Sequence, residues 1–243
     1  MRQIFKRTGR TAIAGLLLTG LITTTSAEDV KGDLVLGAQL YDNWPVITKA
    51  KPKGNHMLYP KDSKKTGVTT WRCKECHGWD YVGKEGRYSK GSHFTGIKGI
   101  LDIKGQSQEI TRKALTNVKG HDFSSQLSEK QLSSLILFMK KGVIDMKQYI
   151  TDAGKIKGDS ANGKKLYIAA CSSCHWTDGN LFDLNEGKEG IQGVGAQANS
   201  NPQETLHKIR WGSPGSDMPS AIYDEYLDDQ ETADILSYIM TLK

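Results

Sequence analysis

Beyond residues 12–22 the sequence lacks any apolar run long enough to cross a bilayer, which excludes a membrane span in the rest of the chain. It also lacks a marked excess of charge of one sign once its first 27 residues are set aside. Four of the 33 Lys and Arg residues and no acid lie there, leaving 29 basic against 27 acidic residues, a net of +2. Overall basic content is therefore no pointer to a nucleic-acid partner. No cysteine exists outside positions 73, 76, 171 and 174, so no thiol is spare for another role.

What is present begins with Arg2, Lys6, Arg7 and Arg10 ahead of the apolar run Ala12–Ile22, followed by the small residues Thr25-Ser26-Ala27. This reads as a secretion signal occupying residues 1–27, cleaved near Ala27, and predicts an exported, bacterial periplasmic protein. The apolar run is about half the ~20 residues a span requires, so an uncleaved anchor is the lesser alternative. The remaining 216 residues suffice for two domains of about 100 residues each, expected at 28–150 and 151–243 with two small cores. Residues 28–150 carry 21 basic and 13 acidic residues and residues 151–243 carry 8 and 14, so the halves differ in sign, +8 against −6. A molecule so divided can orient on charged partners.

Four cysteines in an exported chain would ordinarily suggest two disulfides. Here they form Cys73-Lys74-Glu75-Cys76-His77 and Cys171-Ser172-Ser173-Cys174-His175, two complete C-x-x-C-H sequences, which is the haem-attachment pattern. Two thiols on one helical turn can each form a thioether to one porphyrin, and the following histidine, His77 or His175, then reaches the iron. A redox dithiol has no use for that histidine, and two C-x-x-C pairs 98 residues apart would be an unusual layout for a zinc site. The expected cofactors are two covalently attached c-type haems, bound through Cys73, Cys76, Cys171 and Cys174.

The halves repeat more than the motif. Gly37-Ala38-Gln39-Leu40-Tyr41 precedes the first and Gly163-Lys164-Lys165-Leu166-Tyr167 the second; each motif is followed by a Gly-rich loop and a short helix opening at Gln108-Glu109 or Gln203-Glu204. Each half closes on an amphipathic helix, signalled by Ser128 three before Gln131 and by Asp228 three before Glu231. Here the chain resembles class I cytochrome c, twice over, across nearly all of residues 28–243. The resemblance implies an all-α fold of two tandem domains, each a few helices wrapped around a covalently bound haem. It further implies that Tyr41 packs on Phe138 and Tyr167 on Tyr238, where the first helix crosses the closing one. The first copy departs from the pattern, because 31 residues separate Tyr41 from Cys73 against three between Tyr167 and Cys171. That insert, with Pro45, Pro52, Gly54, Pro60 and many lysines, reads as a loop packed over the domain or held in solvent.

A His-ligated iron that carries electrons without binding outside molecules needs a sixth ligand. In the family it comes from the loop before the closing helix. In the second half that loop contains Met218-Pro219 and matches the family's Met-Pro segment, which makes Met218 the expected ligand. The corresponding first loop, residues 118–126, has no methionine, and His121 is the residue best placed to coordinate. Its rivals are His93, His56, Met57 and Met146, or an open site; Met139 reads as core. His93 is expected to bond a propionate or the proximal histidine, and His207, on the short helix of the second half, reads as a surface residue.

These readings predict an electron carrier that passes single electrons from a donor through a bis-His haem to a His/Met haem and on to an acceptor. The donor would have an acidic face and the acceptor a basic one. The alternative is a dihaem oxidoreductase resembling thiosulfate dehydrogenases or peroxidases, with an accessible first haem; the absence of a spare cysteine removes its sulfur-ligated form.

Overall fold

A computed structural model describes residues 27–184 and 192–242. The expected signal lies outside the described residues, apart from Ala27. Among the described residues there are nine α-helices, several short 3-10 turns and no strand, only the isolated bridges Gly83–Lys98 and Ile150–Ile156. The all-α expectation holds. No described helix is long and apolar enough to cross a membrane.

The amino-terminal half comprises α1 (Ala27–Thr48), α2 (Cys73–His77), α3 (Gln108–Thr116) and α4 (Glu129–Leu137), the last running into a π turn, Phe138–Gly142. The carboxy-terminal half comprises α5 (Ser160–Ala170), α6 (Ser172–His175), α7 (Val194–Ser200), α8 (Pro202–Trp211) and α9 (Asp229–Ile239). Both closing helices, α4 and α9, start on reciprocal capping boxes, Ser128 with Gln131 and Asp228 with Glu231, as their sequences predict.

In each half the first helix crosses the closing helix at the glycine of its repeat. A β-carbon on Gly37 would lie 2.0 Å from the Ser134 carbonyl oxygen, and one on Gly163 would lie 1.9 Å from that of Asp234. Only a residue without a side chain allows the backbones to come so close. The expected aromatic pairs lie at the same crossings, with ring centroids 5.6 Å apart for Tyr41–Phe138 and 5.4 Å for Tyr167–Tyr238.

Three expectations are corrected. Pro45 does not sit in a loop; α1 breaks at Asn43 (φ −154°, ψ 68°) and resumes for a last turn through Pro45 to Thr48. Proline lacks the amide that would continue the ladder but tolerates the first turn of the resumed helix, and the Trp44 indole anchors that turn on the Trp71 carbonyl at 2.8 Å. Second, the buried side chains do not form two cores but one continuous cluster reaching from Ala38 to Ile239. Third, His207 is not on the surface. It is 0% exposed, because α8 is covered by α9 on one side and by the amino-terminal half on another.

Candidate functional site

The first motif is a single helical turn fixed at its start. Arg72, immediately before Cys73, bonds the Asp42 carbonyl through Nε at 2.8 Å and its carboxylate through the guanidinium. Asp42 is fully buried; burial alone would raise its pKa, but Lys208 and Arg72 more than offset this and keep it ionised below the usual range. The same turn buries both intervening residues, Lys74 and Glu75, as an ion pair. Burial would likewise raise Glu75, yet His93 and Lys74 hold its carboxyl down at about 2.

All four cysteines are free thiols, so the two-disulfide arrangement is absent. Burial pushes Cys73 and Cys76 up to about 12 and Cys171 to about 11. A redox dithiol needs the opposite, a depressed thiol. Among the described residues no three His, Cys, Asp or Glu side chains gather as a group that could hold a metal ion.

His77 and His121 are brought together, their ring centroids 6.0 Å apart and their planes nearly perpendicular at 79°. His77 Nδ1 donates to the Lys98 carbonyl at 2.7 Å, and His121 Nδ1 donates to the Ala114 carbonyl at 2.7 Å. Since a carbonyl only accepts, each bond fixes the proton on Nδ1 and leaves the Nε2 lone pair for coordination. The separation suits one metal ion bonded to both rings at about 2 Å each. Burial pushes His77 down to about 4, so the imidazole stays neutral, as a ligand must be.

His56 is buried in the insert between Trp71 and Phe123, and its Nδ1 accepts from the Leu58 amide at 3.3 Å, which puts its proton on Nε2. Met139 and Met146 are core residues, and Met57 is largely exposed over Gly120. His93 stacks on Tyr88 at 4.7 Å and faces Glu75 at 3.4 Å. It does not bond the proximal histidine; the Lys98 carbonyl takes that part. Neither Lys98 nor Ala114 could be found from sequence, because a backbone carbonyl carries no residue signature.

In the second half α5 leads directly into the motif. The Tyr167 hydroxyl donates to the Trp176 carbonyl at 2.8 Å, repeating the Tyr41 bond to the Gly78 carbonyl at 2.6 Å. His175 has the Phe182 ring at 5.7 Å, and its buried Nδ1 has no hydrogen-bond partner among the described residues. Cys174 is exposed, as are Trp176, Leu181, Phe182 and Leu184. This is apolar lining of the kind a porphyrin face covers. Met218 is half-buried in the loop after α8, its amide donating to Ser216 Oγ at 3.3 Å.

Paired thiols on one turn with a neutral imidazole beside them define the donor set of a covalently held haem, and so a c-type cytochrome site. Residues 160–243, about a third of the chain, match the family model of cytochrome c. That match supports a haem protein of electron transfer with a covalently bound c-type haem. No curated protein matches the chain.

Proposed function

We propose that this chain is an exported dihaem c-type cytochrome that carries single electrons, with its domains at 28–150 and 151–243. When bound, each haem supplies a one-electron iron couple. Cys73, Cys76, Cys171 and Cys174 would hold the two groups as thioethers, and His77 with His121 and His175 with Met218 would supply the side-chain ligands to the iron. The observation that carries this reading is the facing of His77 and His121, each with its Nδ1 tied to a carbonyl. Two ligands so fixed close the first site to exogenous molecules, which supports a carrier over an enzyme acting at that site. Met218, as a thioether, raises the potential of its site above that of a bis-imidazole one, so electrons run from the first half to the second. The +8 and −6 charges of the halves suit an acidic-faced donor and a basic-faced acceptor.

Near-infrared and electron-paramagnetic spectra of the oxidised protein test this. They should contain one bis-imidazole and one imidazole–thioether low-spin signal, unchanged by cyanide or thiosulfate. A high-spin first site that binds either anion would favour the oxidoreductase.

A further inference from the structure

The two halves meet along α1 and α8, and the meeting is buried. His207 shares a 2.7 Å hydrogen bond with the Tyr81 hydroxyl. Its ring lies 5.1 Å from Trp79, 5.9 Å from Phe138 and 6.1 Å from Tyr41. One turn further, Trp211 packs edge-on against Phe138 at 5.9 Å, and its carbonyl accepts from Gln39 Nε2 at 3.3 Å. Between these residues the Lys208 ammonium reaches Asp42 Oδ2 at 2.8 Å and stands 5.6 Å from the Trp79 ring centroid. Arg210 bonds the Gly142 carbonyl at 3.2 Å, and Arg87 bonds that of Ser200 at 2.7 Å.

These contacts grip the first motif from both ends. Arg72, which shares Asp42 with Lys208, precedes Cys73, and Trp79 follows His77 by two residues. At its far end α8 runs into the loop that bears Met218. Separating the halves would take Lys208 from Asp42 and put Trp79, Tyr81 and Phe138 into water.

We infer that α8 is a permanent seat for the first haem motif, with His207 as the positioning residue that keeps the two iron sites at one fixed separation. The inference rests on the two-haem reading. With both haems bound, the His77 and His175 sites would exchange a single electron across a junction that stays closed. No bond forms or breaks, no proton moves, and no opening of the halves intervenes.

The test uses the secreted holoprotein, first shown by mass to carry two haems, so that a missing haem counts against the proposed function and not against this inference. Pulsed electron-paramagnetic measurement of the oxidised protein should give one narrow inter-haem distance, and the exchange rate after flash reduction should not change with added glycerol. A broad distribution, or a rate that falls with viscosity, overturns the inference. His207→Ala should broaden the distance and make exchange viscosity-dependent by several-fold. Should that variant fail to fold, the double variant Tyr81→Phe, Lys208→Met keeps the ring packing and should broaden the distance in the same way; an unchanged distance in it overturns the role of the junction.

Discussion

His77 and His121 face each other across 6.0 Å, and each ring has its Nδ1 held by a backbone carbonyl from a different loop or helix of the same half. The pairing makes the second imidazole the lever on the first site's redox behaviour. Replacing His121 by methionine should raise that site's potential, because thioether ligation favours ferrous iron. A redox titration resolves the two sites. A first potential unmoved in His121→Met would show that His121 is not a ligand.

The helix crossings depend on two glycines. Gly163→Ala drives a methyl group into the Asp234 carbonyl, and Gly37→Ala does the same at Ser134. Each should destabilise the protein by about 1–3 kcal/mol, the usual effect of overpacking. Urea unfolding checks this, with a lowered midpoint expected for both variants.

Burial pushes His207 from an ordinary value of 6.5 down to about 3. Between those values the unfolded chain binds a proton there that the folded chain refuses. Stability is therefore fully present above about pH 6.5 and falls as the pH drops towards 3, by up to ~1.4 kcal/mol per pH unit from this group. In His207→Leu that share of the slope should vanish, which urea midpoints measured from pH 7 to pH 4 would reveal. A slope identical to that of the parent would mean that His207 takes up its proton over the same pH range in the folded and the unfolded chain.

Trp176 occupies the position that Gly78 holds in the first motif. It has φ 59° and ψ 168°, against 81° and 154° for Gly78. A tryptophan in a conformation reserved almost wholly for glycine stores about 1–3 kcal/mol of strain, and its ring recovers little by packing on the polypeptide itself. Trp176→Gly should raise Tm by roughly 2–4 °C, taking a net gain of ~1 kcal/mol in a chain of this size. A lowered Tm would show that the bound haem packs on the indole and outweighs the strain.

Much of this was legible in the sequence because it repeats. The two Gly-to-Tyr segments, the two capping boxes and the two C-x-x-C-H turns fall where the periodicity and spacing put them. The pairing of His121 with His77 could be nominated by the absence of methionine from residues 118–126, but the carbonyls that aim both rings could not. His207 is buried although its neighbours on α8 include the cations Lys208 and Arg210. Lys208 is held by Asp42 of the opposite half, and Arg210 pairs with Asp229 of its own half while donating to the Gly142 carbonyl of the other. The flanking Leu206, Ile209 and Trp211 were the available sign of a helix covered on two sides. The single core follows from that helix, whose second buried face has no counterpart in a pattern read one half at a time.

The mass of the intact secreted protein bears most directly on the central claim. Two haem masses above the polypeptide, both retained after acid denaturation and both lost only when Cys73, Cys76, Cys171 and Cys174 are replaced, is the result expected. A bare polypeptide, or a single retained haem, would contradict it.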